Sequence, residues 1–128
     1  MSEGSIKTFE DLQCWQACRA LRIFIRRKII PLMPKEEIYR LTDQLIRASR
    51  STTANIAEGY GRFHYLDNAK FCSNSRGSCW ETLDHLITAN DEELISDELL
   101  TEGREIVNHA VKVTNGYISY LQRSAKES

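Results

Sequence analysis

The chain has 128 residues, which suits one domain around one core. With 41% hydrophobic and 27% charged residues, no apolar run near the ~18 residues of a membrane helix and no basic-then-apolar leader, it reads as an ordinary cytoplasmic protein without a membrane partner. A net charge of −1 excludes a global field for nucleic acid, yet residues 1–62 hold 11 Lys/Arg against 7 Asp/Glu while residues 63–128 hold 6 against 11, so one face can be basic without a basic protein.

The first element spans about residues 9–30. Cys14, Ala17, Cys18, Leu21, Phe24, Ile25 and Ile29 recur at spacings of three and four, the signature of one buried helix face. Thr8 with Asp11 resembles a capping arrangement at its start. Pro31 and Pro34, the only prolines, mark the clearest break in the chain. A second helix is expected over about 36–62, with Glu36 and Glu37 favouring its N-terminus through the helix dipole and Ile38, Leu41, Leu45, Ala48, Thr52 and Ile56 on its inner face. Gly59 and Gly61 end it, kink it or let it approach a neighbour.

The third helix is expected over about 65–90, with Phe71 or Cys72, Ser75, Cys79, Leu83 and Leu86 turned inward. Gly77 costs about 1 kcal/mol of helix propensity relative to Ala, which points to tight packing there. Ser96 is a good N-cap for a fourth helix over about 97–123, whose core spacing runs through Leu99, Gly103, Ile106, Ala110, Val113, Tyr117 and Leu121. The final SAKES reads as a frayed tail. No segment alternates with period two. The whole chain, 1–128, reads as a single all-α domain, an antiparallel up-down four-helix bundle.

The bundle suggests metal chemistry first. A di-metal carboxylate site needs Glu-x-x-His on two helices, whereas Glu81 with His85 and Glu105 with His109 stand at i, i+4, and the first helix offers no Glu beyond its first turn. Cys14 and Cys18 have zinc-pair spacing but Cys72 and Cys79 do not, so the four cysteines read as buried free thiols. No Gly-x-Ser-x-Gly elbow, Walker A motif or dinucleotide loop occurs. The expectation is no enzyme, no metal and no cofactor.

Two constellations remain. Asn55, Glu58 and Arg62 share one face if the second helix continues, and with Arg76 and Glu81 they form a candidate structural polar cluster. In that arrangement a carboxylate of the second helix pairs with Arg76, and Glu81 answers Arg62 or Arg47, fixing register. Separately, Arg19, Arg22, Arg26 and Arg27 on the first helix and Arg47 and Arg50 on the second make a stripe that suits phosphates. A solvated face, partly balanced by Glu36, Glu37 and Asp43, accounts for the same residues equally well.

The run LTDQLIRASRSTTANIAEGYGR, followed by FCSNSRGSCWETL, resembles the bacterial four-helix-bundle proteins encoded in intervening sequences of large-subunit ribosomal RNA genes. The matching positions are Leu41, Gln44, Arg47, Ala48, Ser51, Asn55, Ile56, Ala57, Glu58, Gly59 and Arg62, then Phe71, Arg76, Gly77, Ser78 and Glu81. Asp11, Leu12, Trp15 and Cys18 fit the family's opening, with Cys18 where alanine is usual. The resemblance implies a bundle that assembles as a ring-like homopentamer and no enzymatic activity. The accessory protein of diversity-generating retroelements is a relative that binds nucleic acid and a reverse transcriptase; it is strongly basic, whereas this chain carries −1. Two functions are therefore expected as alternatives: a homo-oligomeric scaffold or binding module, or an RNA-binding accessory of a ribonucleoprotein or reverse-transcriptase system.

Overall fold

A computed structural model describes residues 5–128. Among them lie four α-helices and no strand: α1 Gln13–Phe24, α2 Leu41–Tyr60, α3 Tyr65–Asp91 and α4 Asp97–Glu127. Each helix packs on two others, in the order α1 on α2, α2 on α3, α3 on α4 and α4 back on α1. The contacts run antiparallel. Ser75 of α3 meets Thr52 of α2 and Ser78 meets Ser51, while Asn68 meets Tyr117 of α4 and Arg76 meets Asn115. One contiguous core fills the centre, with Leu21, Ile25, Ile29, Leu45, Ile56, Leu86, Val107 and Leu121 almost wholly buried.

The expected first helix is three pieces. A 3₁₀ turn, Phe9–Asp11, precedes α1, and the Asp11 carboxylate accepts from the backbone N–H groups of Lys7 and Thr8. Leu12 is extended (ψ 130°), which separates that turn from α1. After Phe24 the helix widens into a π-helical stretch, Ile25–Ile29, closed by a hydrogen bond from the Ile30 N–H to the Ile25 carbonyl. Pro31 lies immediately beyond, in a 3₁₀ turn over Ile30–Leu32. Proline has no N–H to donate and its ring crowds the carbonyl four residues back, so a widened turn ahead of it is where the ladder yields.

The second helix also starts later than its sequence suggests. Lys35–Glu37 is a 3₁₀ turn and α2 begins at Leu41. Glu37 still serves the helix start: its carboxylate accepts from the Leu41 N–H at 3.2 Å, at the positive end of the α2 dipole. Ile38, expected in the core, is exposed instead. At the other end α2 stops at Tyr60, so Arg62 lies past the helix rather than on its face.

Helix α3 matches its expected span within a residue. Its C-terminus is closed by two hydrogen bonds, Leu94 N–H to the Ala89 carbonyl and Glu93 N–H to the Asn90 carbonyl, with Glu93 left-handed at φ 62°. Ser96 caps α4 as expected, its hydroxyl accepting from the Leu99 N–H. The supposed frayed tail is helical to Glu127. The buried face of α4 is Gly103, Val107, Ala110, Val111, Thr114, Ile118 and Leu121, so Leu99, Ile106, Val113 and Tyr117 flank the core rather than centre it. Among the described residues no helix is long and apolar enough to cross a membrane.

Candidate functional site

The α2–α3 seam is polar, but not as a charged cluster. Asn55 donates to the Ser51 carbonyl and hydroxyl, both at 2.9 Å and both on α2. Glu58 pairs with Arg62 at 3.0 Å, an exposed contact four residues apart in the chain. Arg76 reaches across to Asn115 of α4, and Glu81 turns to His85 on its own helix. Among the described residues the expected pairings of an α2 carboxylate with Arg76, and of Glu81 with Arg62 or Arg47, do not form. Arg62 does bridge to α3 by another route, its guanidinium lying 4.5 Å over the Phe71 ring.

Short hydroxyl side chains hold the seam instead. Ser75 donates to the Thr52 carbonyl at 2.7 Å, and Ser78 donates to the Ser51 hydroxyl at 2.9 Å. They fit because Gly59 lets the helices approach: a Cβ there would stand 2.7 Å from Asn68 Oδ1, 2.9 Å from Phe71 Cβ and 3.0 Å from the Asn68 carbonyl oxygen. Gly77 is the opposite case. It is exposed and a Cβ on it would meet nothing within 4 Å, so the tight packing expected around it is absent within one chain.

The four thiols are free and buried. Cys18 Sγ lies 3.6 Å from Ser75 Oγ and 3.9 Å from Cys79 Sγ, in a fully buried layer with Thr52 and Thr114. Burial, then the charge on Cys18, pushes the Cys72 thiol up to about 12; burial pushes Cys14 up as well. Cys18 and Cys79 titrate as a pair, the first proton leaving Cys18 more easily because Cys79 hydrogen-bonds to it, and the second being held on Cys79. Among the described residues no group of three or more His, Cys, Asp or Glu side chains is placed to hold a metal ion.

The basic stripe resolves into a groove. Arg22, Arg26, Arg27 and Arg50 line a cleft of about 260 Å³ between the first helical segment and α2, floored by Ile23, Ile25, Ile30 and Ile46. The π-helical stretch carries Arg26 and Arg27 to the rim. Arg22 is held in place by donating to Thr53 Oγ1 at 2.7 Å. No carboxylate lines the cleft, and Arg26, Arg27 and Arg50 make no ion pair among the described residues. Arg47 stands apart, paired with Asp43 at 3.0 Å, and Arg19 is exposed outside the cleft.

A second surface feature was not anticipated from sequence. Large apolar side chains stand in solvent at both ends of α2: Leu32, Ile38 and Tyr39 (88% exposed) before it, and Phe63 (95% exposed), Tyr65 and Leu66 after it. Trp80, 46% exposed, adds a patch on the outer face of α3 one turn from Gly77. The sequence signal for the clusters flanking α2 is their position next to helix breaks, where apolar residues have no helix face to join; Trp80, in the middle of α3, carries no such signal.

Four helices, a polar α2–α3 seam and a groove of unpaired arginines define a helical bundle without an assembled catalytic constellation among the described residues. The family model of the 23S rRNA-intervening sequence protein matches residues 10–116, and the chain belongs to that family. No curated protein matches it.

Proposed function

We propose that the protein is a non-enzymatic cytoplasmic scaffold that assembles with copies of itself into a homopentameric ring. The observation that carries this reading is the uncovered apolar surface at the two ends of α2. Phe63 and Tyr39 are almost fully exposed, and single chains rarely leave such clusters uncovered without a partner. The two clusters lie at opposite ends of a 20-residue helix, about 30 Å apart. Different patches at opposite ends suit head-to-tail contacts, which close into rings when the rotation allows. Light scattering of the purified protein is expected to give the mass of five 14.8-kDa chains. Phe63→Glu with Leu66→Glu is expected to reduce that mass without loss of helix content. A wild-type monomer at micromolar concentration would overturn the reading.

The arginine groove supports a second reading, an RNA-binding accessory of a ribonucleoprotein or reverse-transcriptase system. Four guanidinium groups on an uncompensated cleft suit successive phosphates, and a ring would repeat them around one surface. Fluorescence anisotropy with a labelled single-stranded RNA is expected to show log affinity falling with log salt at a slope of about −3 for four contacts. Arg26→Glu with Arg50→Glu is expected to abolish binding. RNA binding unchanged by salt and by both substitutions would refute it.

A further inference from the structure

We propose that the cleft between the start of α1 and the second half of α4 is a binding site for a small, planar aromatic anion. It encloses about 620 Å³, within the roughly 300–1,000 Å³ usual for small-molecule sites. It lies well away from the arginine groove and shares no lining residue with it.

The lining sets the ligand's chemistry. Tyr117 and Tyr120 stand one above the other, ring planes within 14° and centroids 6.0 Å apart, and Tyr60 closes the third side from the end of α2. This wall is fixed. Asn68 of α3 donates to the Tyr117 hydroxyl at 3.1 Å, and Tyr60 packs edge-on against Phe9, which packs in turn on Trp15. Preset aromatic faces stack on a flat ring at little conformational cost. Arg123, one turn beyond Tyr120, is the single charged residue of the lining and makes no ion pair among the described residues. A guanidinium beside an aromatic wall selects a ring that carries a carboxylate, sulfonate or phosphate. Gly116 lines the same cleft, and a Cβ there would meet no atom within 4 Å, so nothing in the fold fills that position.

Two dyes test this on the full-length protein: the anionic 1-anilinonaphthalene-8-sulfonate and its neutral counterpart N-phenyl-1-naphthylamine. Fluorescence titration is expected to show saturable binding of the sulfonate, one per chain. Arg123→Gln is expected to weaken the sulfonate about tenfold, the size of one charge-assisted hydrogen bond, and to leave the neutral dye unchanged. Gly116→Trp is expected to weaken both, and Arg50→Gln neither. Equal loss of both dyes in Arg123→Gln would overturn the anion assignment. Binding unaffected by Arg123→Gln and Gly116→Trp would place the dyes on the exposed Phe63 and Trp80 and overturn the site. Arg123 is on the surface and its substitution leaves the core intact, so the two-dye comparison decides even where Gly116→Trp unfolds the chain.

Discussion

Gly59 and Gly77 stand on facing helices, and the same substitution has opposite consequences at the two. An added methyl at Gly59 runs into the backbone and Cβ of α3, which no rotamer change relieves. Gly59→Ala is therefore expected to push α2 from α3, strain the Ser75–Thr52 and Ser78–Ser51 hydrogen bonds and cost about 1–3 kcal/mol. At Gly77 the methyl enters open space, and Gly77→Ala is expected to add up to about 1 kcal/mol of helix propensity. Urea denaturation of the two variants beside the wild type measures both. A destabilised Gly77→Ala would mean that another chain covers this position in the assembled protein. The sequence flagged both glycines as weak points of a helix, but not which one a neighbour needs, because that depends on the distance between two helices.

The turn from α3 to α4 uses a left-handed residue at the position where glycine is usual, and that residue is Glu93. Its Cβ works against this backbone, so Glu93→Gly is expected to stabilise the chain by about 0.5–1 kcal/mol, read as a raised thermal midpoint. The opposite sign would show that the Glu93 side chain contributes more than its backbone costs. Periodicity located all four helices, since each buries a stripe that repeats every three or four residues. It placed α3 within a residue but missed the π-helical stretch at Ile25–Ile29, where the stripe continues while the hydrogen-bond ladder changes. On α4 it found Gly103, Ala110 and Leu121 of the buried face and took the flanking Leu99, Ile106, Val113 and Tyr117 for the rest of it. That 31-residue helix has Leu99, Ile106, Val113 and Tyr117 partly buried along the margins, and a broad apolar face looks the same from either edge.

Across the whole molecule, side-chain length sorts the polar groups. The long charged residues singled out in sequence stay at the rim: Glu58 pairs with Arg62 and Glu81 with His85 four residues along the chain, and Arg76 reaches out to Asn115 of α4, while short side chains, hydroxyls above all, fill the close α2–α3 approach. The arginine groove was more legible, since Arg22, Arg26, Arg27 and Arg50 needed only to share a helical face and its neighbour. The price of a core built from small polar groups shows in its response to pH. Cys72 and Cys14 are neutral thiols in the fold with their proton loss pushed to higher pH, mainly by burial, whereas the unfolded chain releases those protons near pH 8.5. Above that pH these two thiols are deprotonated in the unfolded chain and protonated in the fold, so their contribution to stability is fully present below about pH 8.5 and falls as pH rises toward about 12, the folded value for Cys72. Each such thiol steepens the fall by up to about 1.4 kcal/mol per pH unit. Tyr117, also raised by burial, adds to it only above about pH 10. Thermal midpoints between pH 8 and pH 11 are expected to drop in the wild type and to drop less in Cys72→Ala, whose lower starting stability comes from a lost core side chain and is independent of pH. Parallel curves for the two proteins would mean that water reaches Cys72 in solution and that the bundle opens there well before it unfolds.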